Sequence, residues 1–186
     1  MTVDFRHGGL IQKNFTKTGI VLEQSEDSTL KNFIVSNNGT GGILAAGVTG
    51  LTVTDSAVMG NGAPNGGDGI DIAGGIDVNI ADNSIIGNNG DGIAVYNYAN
   101  PVILNSQHIT LTGNDVKNNT GDGIDLKDAD DVEISGNTIN GNTANGVLSL
   151  TTDDANIETN TISGNGEHGV TVDQAPATRS CRTRSP

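Results

Sequence analysis

One dipeptide recurs along the chain at a nearly constant interval: a glycine followed by isoleucine or valine. Its seven copies are Gly19-Ile20, Gly42-Ile43, Gly69-Ile70, Gly92-Ile93, Gly123-Ile124, Gly146-Val147 and Gly169-Val170. Successive copies lie 23, 27, 23, 31, 23 and 23 residues apart, so the base period is 23, with insertions of four and eight residues. A fixed period of this length predicts stacked copies of one structural unit.

A second marker, Asn-x-Ile-x-x-Asn, keeps the same period. It begins at Asn32, Asn83, Asn137 and Asn160, with a variant at Asn114. Within each unit three short segments alternate apolar and polar residues, as in Gly69-Ile70-Asp71-Ile72, and no segment keeps a helical period of 3.6. Alternation with period two indicates β-strands. Three strands per 23 residues predict one coil of a β-solenoid, in which each strand pairs in parallel with its counterpart in the next coil.

The composition agrees with a narrow solenoid. Only 34% of the 186 residues are apolar, there is no Trp, and the chain has two Tyr, three Phe and 27 Gly. A tube whose coils stack about 4.8 Å apart is filled by ladders of Ile, Val and Leu, and seven coils form a rod of roughly 30–35 Å. Gly and Asn tolerate the positive φ of its turns, and stacked Asn side chains are expected to hydrogen-bond from coil to coil.

Charge and residue usage exclude several classes of function. The 22 acidic and 9 basic residues give a net charge of −13, so no nucleic-acid partner is expected. No apolar run approaches the roughly 20 residues that span a membrane, and no membrane partner is expected. The single Cys181 excludes an internal disulfide, and His7, His108 and His168 lack zinc-site spacing. No metal ligands are therefore assigned.

The repeat defines the expected domain organisation. Residues 1–174 are predicted to form the β-helix domain, without obvious caps, and residues 175–186 a basic tail without the repeat, disordered in solution. The tail holds three of the four Arg, and without it 6 basic and 22 acidic residues leave a net charge of −16. We expect the chain to be a fragment of a longer protein. The oligomeric state stays open, including end-to-end association through uncapped coils.

One outward stripe of the solenoid carries the candidate catalytic residues. In the strand after each repeat glycine, the residues two and four positions on should point outward. In the middle three coils these positions include Asp71, Tyr96, Asp125 and Lys127. A Lys that neutralises a substrate carboxylate, with an acid and a base on opposite faces, could act on a uronate. Asp71 and Asp125, two coils or about 9–10 Å apart, would also fit an inverting glycosidase.

The eight-residue insertion adds a further candidate. It enlarges the loop 97–105 beside Tyr96 and contains Tyr98. Loops that interrupt a solenoid usually gather on its binding face. We therefore predict that Tyr98 binds substrate by stacking on a sugar ring.

The Gly-Asp-Gly-Ile strands and Ser-Gly-Asn-Thr-Ile-x-Gly-Asn turns resemble the right-handed parallel β-helix repeats of the pectate-lyase-like superfamily, across about residues 8–174. They are most similar to bacterial β-helix proteins related to mannuronan (alginate) C5-epimerases. The resemblance implies an all-β, right-handed, single-stranded parallel β-helix of about seven coils. It places Asp71 and Asp125 at the Asp of the family's Tyr-Gly-x-Asp-Pro-His signature. Glu167-His168-Gly169 stands where the family has Arg-His-Gly, which implies a catalytic His168 and a substrate-binding Glu167.

The chain also departs from this signature. Asp68 and Asp122 stand where the family has Tyr, no Pro-His follows, and Leu150 replaces a second acidic residue. Asp173, on the outward stripe of the last coil, is taken as a further substrate-binding residue.

Two hypotheses for function follow. The first is a secreted or extracellular β-helix that binds or modifies a polysaccharide, as a uronan epimerase or lyase would. The second is a non-catalytic scaffold or surface-appendage module whose function is its rod shape. No cofactor is certain, but the turn Asp128-Ala129-Asp130-Asp131 offers the oxygen ligands that Ca²⁺ prefers, and calcium could bridge an acidic protein to an anionic glycan.

Overall fold

A computed structural model describes residues 2–4, 11–64, 66–99 and 103–173, and every element of regular structure in these ranges is a β-strand. The first eight are β1 (Thr2–Asp4), β2 (Ile11–Lys13), β3 (Ile20–Glu23), β4 (Thr29–Lys31), β5 (Ile34–Ser36), β6 (Ile43–Ala46), β7 (Thr52–Thr54) and β8 (Ala57–Met59). The next eight are β9 (Ile70–Ala73), β10 (Ile76–Ala81), β11 (Ser84–Ile86), β12 (Ile93–Tyr96), β13 (Tyr98–Ala99), β14 (Ile103–Leu104), β15 (Gln107–Thr112) and β16 (Asp115–Lys117). The last seven are β17 (Ile124–Lys127), β18 (Asp130–Ser135), β19 (Thr138–Asn140), β20 (Val147–Leu150), β21 (Asp153–Glu158), β22 (Thr161–Ser163) and β23 (Val170–Asp173). Across the described ranges no helix is long and apolar enough to cross a membrane.

The strands form three parallel seven-stranded sheets that run along the rod. Sheet A contains β1, β4, β7, β10, β15, β18 and β21; sheet B contains β2, β5, β8, β11, β16, β19 and β22; sheet C contains β3, β6, β9, β12, β17, β20 and β23. One strand from each sheet makes a coil, so β7–β9 are coil 3, β10–β12 coil 4 and β15–β17 coil 5. The repeat isoleucines are in register in sheet C, where Ile93 pairs with Ile70 and with Ile124. The predicted all-β parallel solenoid of about seven coils is confirmed.

Columns of aliphatic side chains fill the interior. In sheet C the inward residues one position after each repeat glycine, from Ile43 to Val147, are fully buried. Sheets A and B contribute the corresponding columns of Val, Leu and Ile, among them Ile80, Leu111 and Ile85. Side chains of the size of Val, Leu and Ile are enough to pack this narrow interior closely, and the core therefore needs no Trp.

A buried asparagine ladder joins the coils at the corner between sheets B and C, as expected from the repeat. It runs through Asn38, Asn61, Asn88, Asn119, Asn142 and Asn165. From Asn61 onward each amide oxygen accepts two hydrogen bonds from the preceding coil, as Asn119 Oδ1 does from the backbone N–H and the Nδ2 of Asn88, at 2.9 and 3.0 Å. A second ladder, from Ser56 through Asn83, Asn114, Asn137 and Asn160, lies between sheets A and B.

The eight-residue insertion forms a small antiparallel hairpin of β13 and β14, in which Tyr98 pairs with Leu104. Buried Ser106 anchors its base: the Ser106 hydroxyl donates to the Tyr96 carbonyl at 2.8 Å and accepts from the Gly75 backbone N–H at 3.2 Å. The predicted tail 175–186, with Cys181, lies outside the described residues, as do His7 and residues 100–102 of the insertion.

Candidate functional site

The outer face of sheet C carries a compact group of polar side chains in coils 3, 4 and 5. We call it the three-coil patch; its nine positions are Asp68, Asp71 and Ala73 in coil 3, Asp91, Ala94 and Tyr96 in coil 4, and Asp122, Asp125 and Lys127 in coil 5. Strand register places Ala94 beside Asp71 and Asp125, and Tyr96 beside Ala73 and Lys127. The structure therefore brings together the four predicted catalytic residues of the middle coils.

The patch ends at its neighbours in sheet C. In coil 2 the outward residues of the strand are Leu44 and Ala46, and in coil 6 they are Leu148 and Leu150. Apolar side chains thus bound the patch on both sides, and outward carboxyl groups recur in the terminal coils at Glu23 and Asp173. The small outward residues Ala73 and Ala94 are almost completely buried because larger side chains of adjacent coils flank them.

Three of the nine positions of the patch, Asp68, Asp91 and Asp122, form a row of aspartates that were not predicted as site residues. One carboxylate oxygen of Asp68 accepts the backbone N–H of Asp91 at 2.6 Å, and Asp91 accepts that of Asp122 in the same way. Asp122 accepts both the backbone N–H and the side-chain amide of Asn145, at 2.6 and 2.8 Å. The sequence does mark these aspartates, because each is the centre of a Gly-Asp-Gly triplet that recurs at the period of the coils. The aspartates of this ladder thus hold successive coils together.

Asp71 has the most strongly perturbed acidity of the patch. Burial raises its pKa to about 8, and the nearby carboxyl groups of Asp68 and Asp91 act in the same direction. The pKa of Asp91 rises to about 7, again chiefly through burial. Asp71 is therefore mostly protonated at neutral pH and can serve as a proton donor.

Tyr96 reaches from coil 4 to coil 3. Its hydroxyl donates a hydrogen bond to the Asp71 carboxyl, which opposes the rise in the pKa of Asp71. Burial, with the charges of Asp71 and Asp68, raises the pKa of Tyr96 to about 12. Tyr96 thus stays neutral at physiological pH and acts as a hydrogen-bond donor.

Asp125 differs from Asp71 in its environment. Burial and the charges of Asp122 and Asp68 raise its pKa to about 6, while Lys127 lowers it. Asp125 is therefore mostly ionised at pH 7. Its Oδ1 atom is buried and has no hydrogen-bond partner within the part of the chain that the structure describes.

The hairpin forms one side of the patch. It folds back over the turns that follow sheet C in coils 2 and 3, where Gly47 and Gly74 have φ of +61° and +65°. A Cβ on Gly74 would lie only 2.8 Å from the Cβ atoms of both Tyr98 and Leu104. Glycine is required here, both for the positive φ and for the close approach of the hairpin. Tyr98 is half-buried against these turns, and its predicted stacking on a sugar stays a prediction.

The three remaining predicted residues lie two coils farther along, in and just before β23. His168 and Glu167 are exposed, and Glu167 accepts a hydrogen bond at 3.4 Å from the Asn145 amide that also bonds Asp122. His168 lies two coils beyond Asp125, the distance at which the motif was placed, and its catalytic role stays a prediction. Asp173 is closer to the patch, since it and Lys127 line one shallow depression of about 330 Å³.

Two family models match the chain. The model described as periplasmic copper-binding protein (NosD) matches residues 1–107, and the model described as right handed beta helix region matches residues 102–184. No curated protein sequence matches the chain significantly.

Solved β-helix structures resemble the chain at low sequence identity. The A-module of mannuronan C-5 epimerase AlgE4 from Azotobacter vinelandii is 22% identical with a TM-score of 0.70, over 76% of this chain and 37% of that one. A double mutant of the periplasmic alginate epimerase AlgG is 18% identical with a TM-score of 0.71, over 94% of this chain and 41% of that one. The enzymatically active domain of bacteriophage CBA120 tailspike protein 2 is 15% identical with a TM-score of 0.63, over 83% of this chain and 26% of that one. At these identities the likeness shows a shared fold, and the chain spans about two fifths or less of each protein.

The copper binding named in the first family description can be tested against the side chains. Copper prefers imidazole, thiolate and thioether ligands. In residues 11–64, 66–99 and 103–173, no three His, Cys, Asp or Glu side chains form a metal-binding group. The two histidines of these ranges lie apart: His108 contacts Asp77 at 3.1 Å on sheet A, and His168 is exposed in coil 7. These residues do not fit a copper ion.

Proposed function

The chain belongs to the family described as periplasmic copper-binding protein (NosD), and from this premise we propose that it is a polysaccharide-binding β-helix of the periplasm or cell exterior. We propose further that a glycan lies across the three-coil patch, between the hairpin and the depression beside Lys127. A rigid sheet supplies the floor of this site, and its side chains repeat at the spacing of the coils. Such a surface suits an extended polymer.

The observation that supports this proposal most directly is the confinement of Asp71, Tyr96 and Asp125 to neighbouring coils of one face. Burial raises the pKa of both Asp71 and Asp125, and carboxyl groups with such perturbed pKa values cluster at functional sites. Three of the similar structures are titled as alginate or mannuronan epimerases or an enzymatically active tailspike domain, and these names support a glycan as the ligand.

A uronan is the substrate that the resemblance to epimerases implies, with epimerisation at C5 or β-elimination as the reaction. Both reactions remove the proton beside the uronate carboxylate, and a cation must neutralise that carboxylate. Lys127 would supply the cation within the patch. Calcium would be a second source of positive charge, bridging the acidic protein to the acidic polymer.

Binding can be measured by affinity electrophoresis and calorimetry with alginate, pectate and neutral polysaccharides, each with and without Ca²⁺. We expect Tyr96→Ala to weaken binding by at least tenfold. For uronans, Lys127→Ala should weaken binding, while Lys117→Ala, which removes the same charge from sheet B, should not. Isotope exchange at C5 or new absorbance at 232 nm would identify epimerisation or elimination. The proposal fails if no polysaccharide binds under any of these conditions.

The scaffold hypothesis remains the alternative. It is favoured by the Asp68–Asp91–Asp122 ladder, in which acidic residues of this face serve coil stacking. If wild-type protein and Tyr96→Ala are alike in every binding assay, the rod itself is the better account of function.

A further inference from the structure

We propose that the three-coil patch is the active site of an inverting glycoside hydrolase, with Asp71 as general acid, Asp125 as general base and an uncharged glycan as substrate. This inference rests on the proposed function, since it needs a glycan in the patch. It differs from uronan chemistry in the bond that breaks and in the charge of the substrate.

The positions of Asp71 and Asp125 in the stack suit an inverting pair. Asp71 and Asp125 occupy the same outward column, and the coil between them carries Ala94. Two coil steps separate their Cα atoms by about 9–10 Å. Inverting enzymes place their two carboxyl groups about 6.5–9.5 Å apart to admit a water molecule, whereas retaining enzymes need about 5 Å. A retaining pair in this column would require an acidic residue at Ala94.

Asp71 and Asp125 also differ in their protonation at neutral pH. Asp71 faces Asp68, Asp91 and Tyr96, and its pKa of about 8 keeps it protonated at neutral pH. Asp125 faces Asp122, Asp68 and Lys127, and with a pKa of about 6 it is ionised there. When their surroundings give two nearby carboxyl groups different pKa values, the group with the higher pKa acts as the general acid and the other as the general base.

One oxygen of the Asp125 carboxylate has no partner among the described residues. This buried Oδ1 accepts no hydrogen bond that would lower the basicity of the carboxylate, and the second oxygen, Oδ2, is the one that would take the proton of water. The Tyr96 hydroxyl, by contrast, already bonds the Asp71 carboxyl and so orients the proton donor.

The reaction then balances without any further reactant. Asp125 removes a proton from water as the water oxygen attacks the anomeric carbon. The bond from that carbon to the glycosidic oxygen breaks, and the departing oxygen takes the proton of Asp71. The products are a hemiacetal of inverted configuration and a free hydroxyl on the other sugar. Proton exchange with solvent returns both carboxyl groups to their starting states.

The charge of the patch indicates the class of substrate. Asp68, Asp71, Asp91, Asp122 and Asp125 face a single ammonium group, that of Lys127. Asp71 is mostly neutral at pH 7, but the other four carboxyl groups still outnumber this ammonium group and repel the carboxylates of a uronan. Neutral sugars do not experience this electrostatic repulsion. Their apolar ring faces can pack against the aromatic ring of Tyr96 and the apolar side chains of Leu148 and Leu150.

The test uses the full chain and reducing-end-labelled oligosaccharides of each neutral polysaccharide that binds in the assay above. Cleavage is followed by chromatography, and proton NMR during the first turnovers reads the configuration of the new anomeric centre. We expect inverted product and a bell-shaped dependence of kcat/KM on pH with limbs near 6 and 8. Asp71→Asn and Asp125→Asn should each lower kcat by about 10²–10⁴-fold. Asp153→Asn, which changes an exposed aspartate of sheet A, should be fully active.

The outcomes separate this inference from the proposed function. Binding of neutral glycans without cleavage would overturn the hydrolase and leave the glycan-binding face in place. Retention of configuration, or full activity of both Asp71→Asn and Asp125→Asn, would overturn the assignment of the two carboxyl groups. Because the wild-type product is itself diagnostic, the test does not depend on the variants folding. If no glycan binds at all, both proposals fail together.

Discussion

The hydroxyl of Tyr96 donates a hydrogen bond to the carboxyl of Asp71, one coil earlier in the stack. The two residues are 25 positions apart in sequence, yet strand register makes them diagonal neighbours on one face. This bond favours the ionised form of Asp71, while burial and the neighbouring aspartates favour the neutral form. The acidity of Asp71 is therefore set by a competition among side chains from two coils.

Tyr96→Phe should raise the pKa of Asp71 further above about 8, because the hydrogen bond that stabilises its carboxylate is lost. The pKa can be followed by carbon-13 NMR titration of the Asp carboxyl groups. Tyr98→Phe is the matched control, since Tyr98 lies in the hairpin and no effect of it on Asp71 is expected. A lower pKa of Asp71 in Tyr96→Phe would contradict the assigned direction of this bond.

The free energy of unfolding should fall as the pH rises from about 4 to about 8. Asp71, Asp91 and Asp125 have pKa values of about 8, 7 and 6 in the folded protein, all above the ordinary value of 3.8. Between these limits the folded state holds more protons than the unfolded chain, so adding base favours unfolding. Thermal unfolding should therefore give a higher Tm at pH 5 than at pH 8. Asp71→Asn, which mimics the neutral acid, should reduce this difference, whereas Asp55→Asn, at an exposed turn between β7 and β8, should leave it unchanged.

Removal of one ladder asparagine should destabilise the whole rod. Asn119→Ala takes away the oxygen that accepts the backbone N–H and Nδ2 of Asn88, and leaves two buried donors without a partner. We expect a loss of about 2–4 kcal/mol in the free energy of unfolding, measured by urea denaturation. Asn156→Ala, at an exposed position of sheet A, should cost under about 0.5 kcal/mol. Equal losses in the two variants would refute a stabilising role for the ladder.

Two glycines offer a matched test of how the hairpin docks. Gly74 and Gly87 have φ of +65° and +66°, but a Cβ would meet Tyr98 and Leu104 at Gly74 and nothing within 4 Å at Gly87. Alanine at either site should cost about 1–2 kcal/mol for the backbone conformation. Only Gly74→Ala should also displace the hairpin, detected as faster limited proteolysis within residues 97–105. Equal proteolysis in the two variants would mean that the hairpin does not rest on Gly74.

Much of the site could be predicted because residues at the same offset from each repeat glycine stack above one another in successive coils. The offsets from the repeat glycine place Asp71, Tyr96, Asp125 and Lys127 on one face, and the structure brings them together. The same logic did not single out Asp68, Asp91 and Asp122, because a residue before the glycine lies in a turn, where alternation no longer indicates direction. His168 was assigned by a motif two coils beyond Asp125; the structure has it in that coil, exposed, and its catalytic role stays a prediction.

The sequence by itself determined the period, the three strands per coil and the identity of the inward columns, since each follows from local alternation and from turns that need Gly or Asn. Tertiary structure alone decided the acidities of the patch and the path of the insertion. A pKa depends on how deeply a carboxyl is buried and on which charges surround it, and those neighbours come from other coils. The hairpin likewise rests on turns of coils 2 and 3 that precede it by 23 residues or more, a contact that no local pattern encodes.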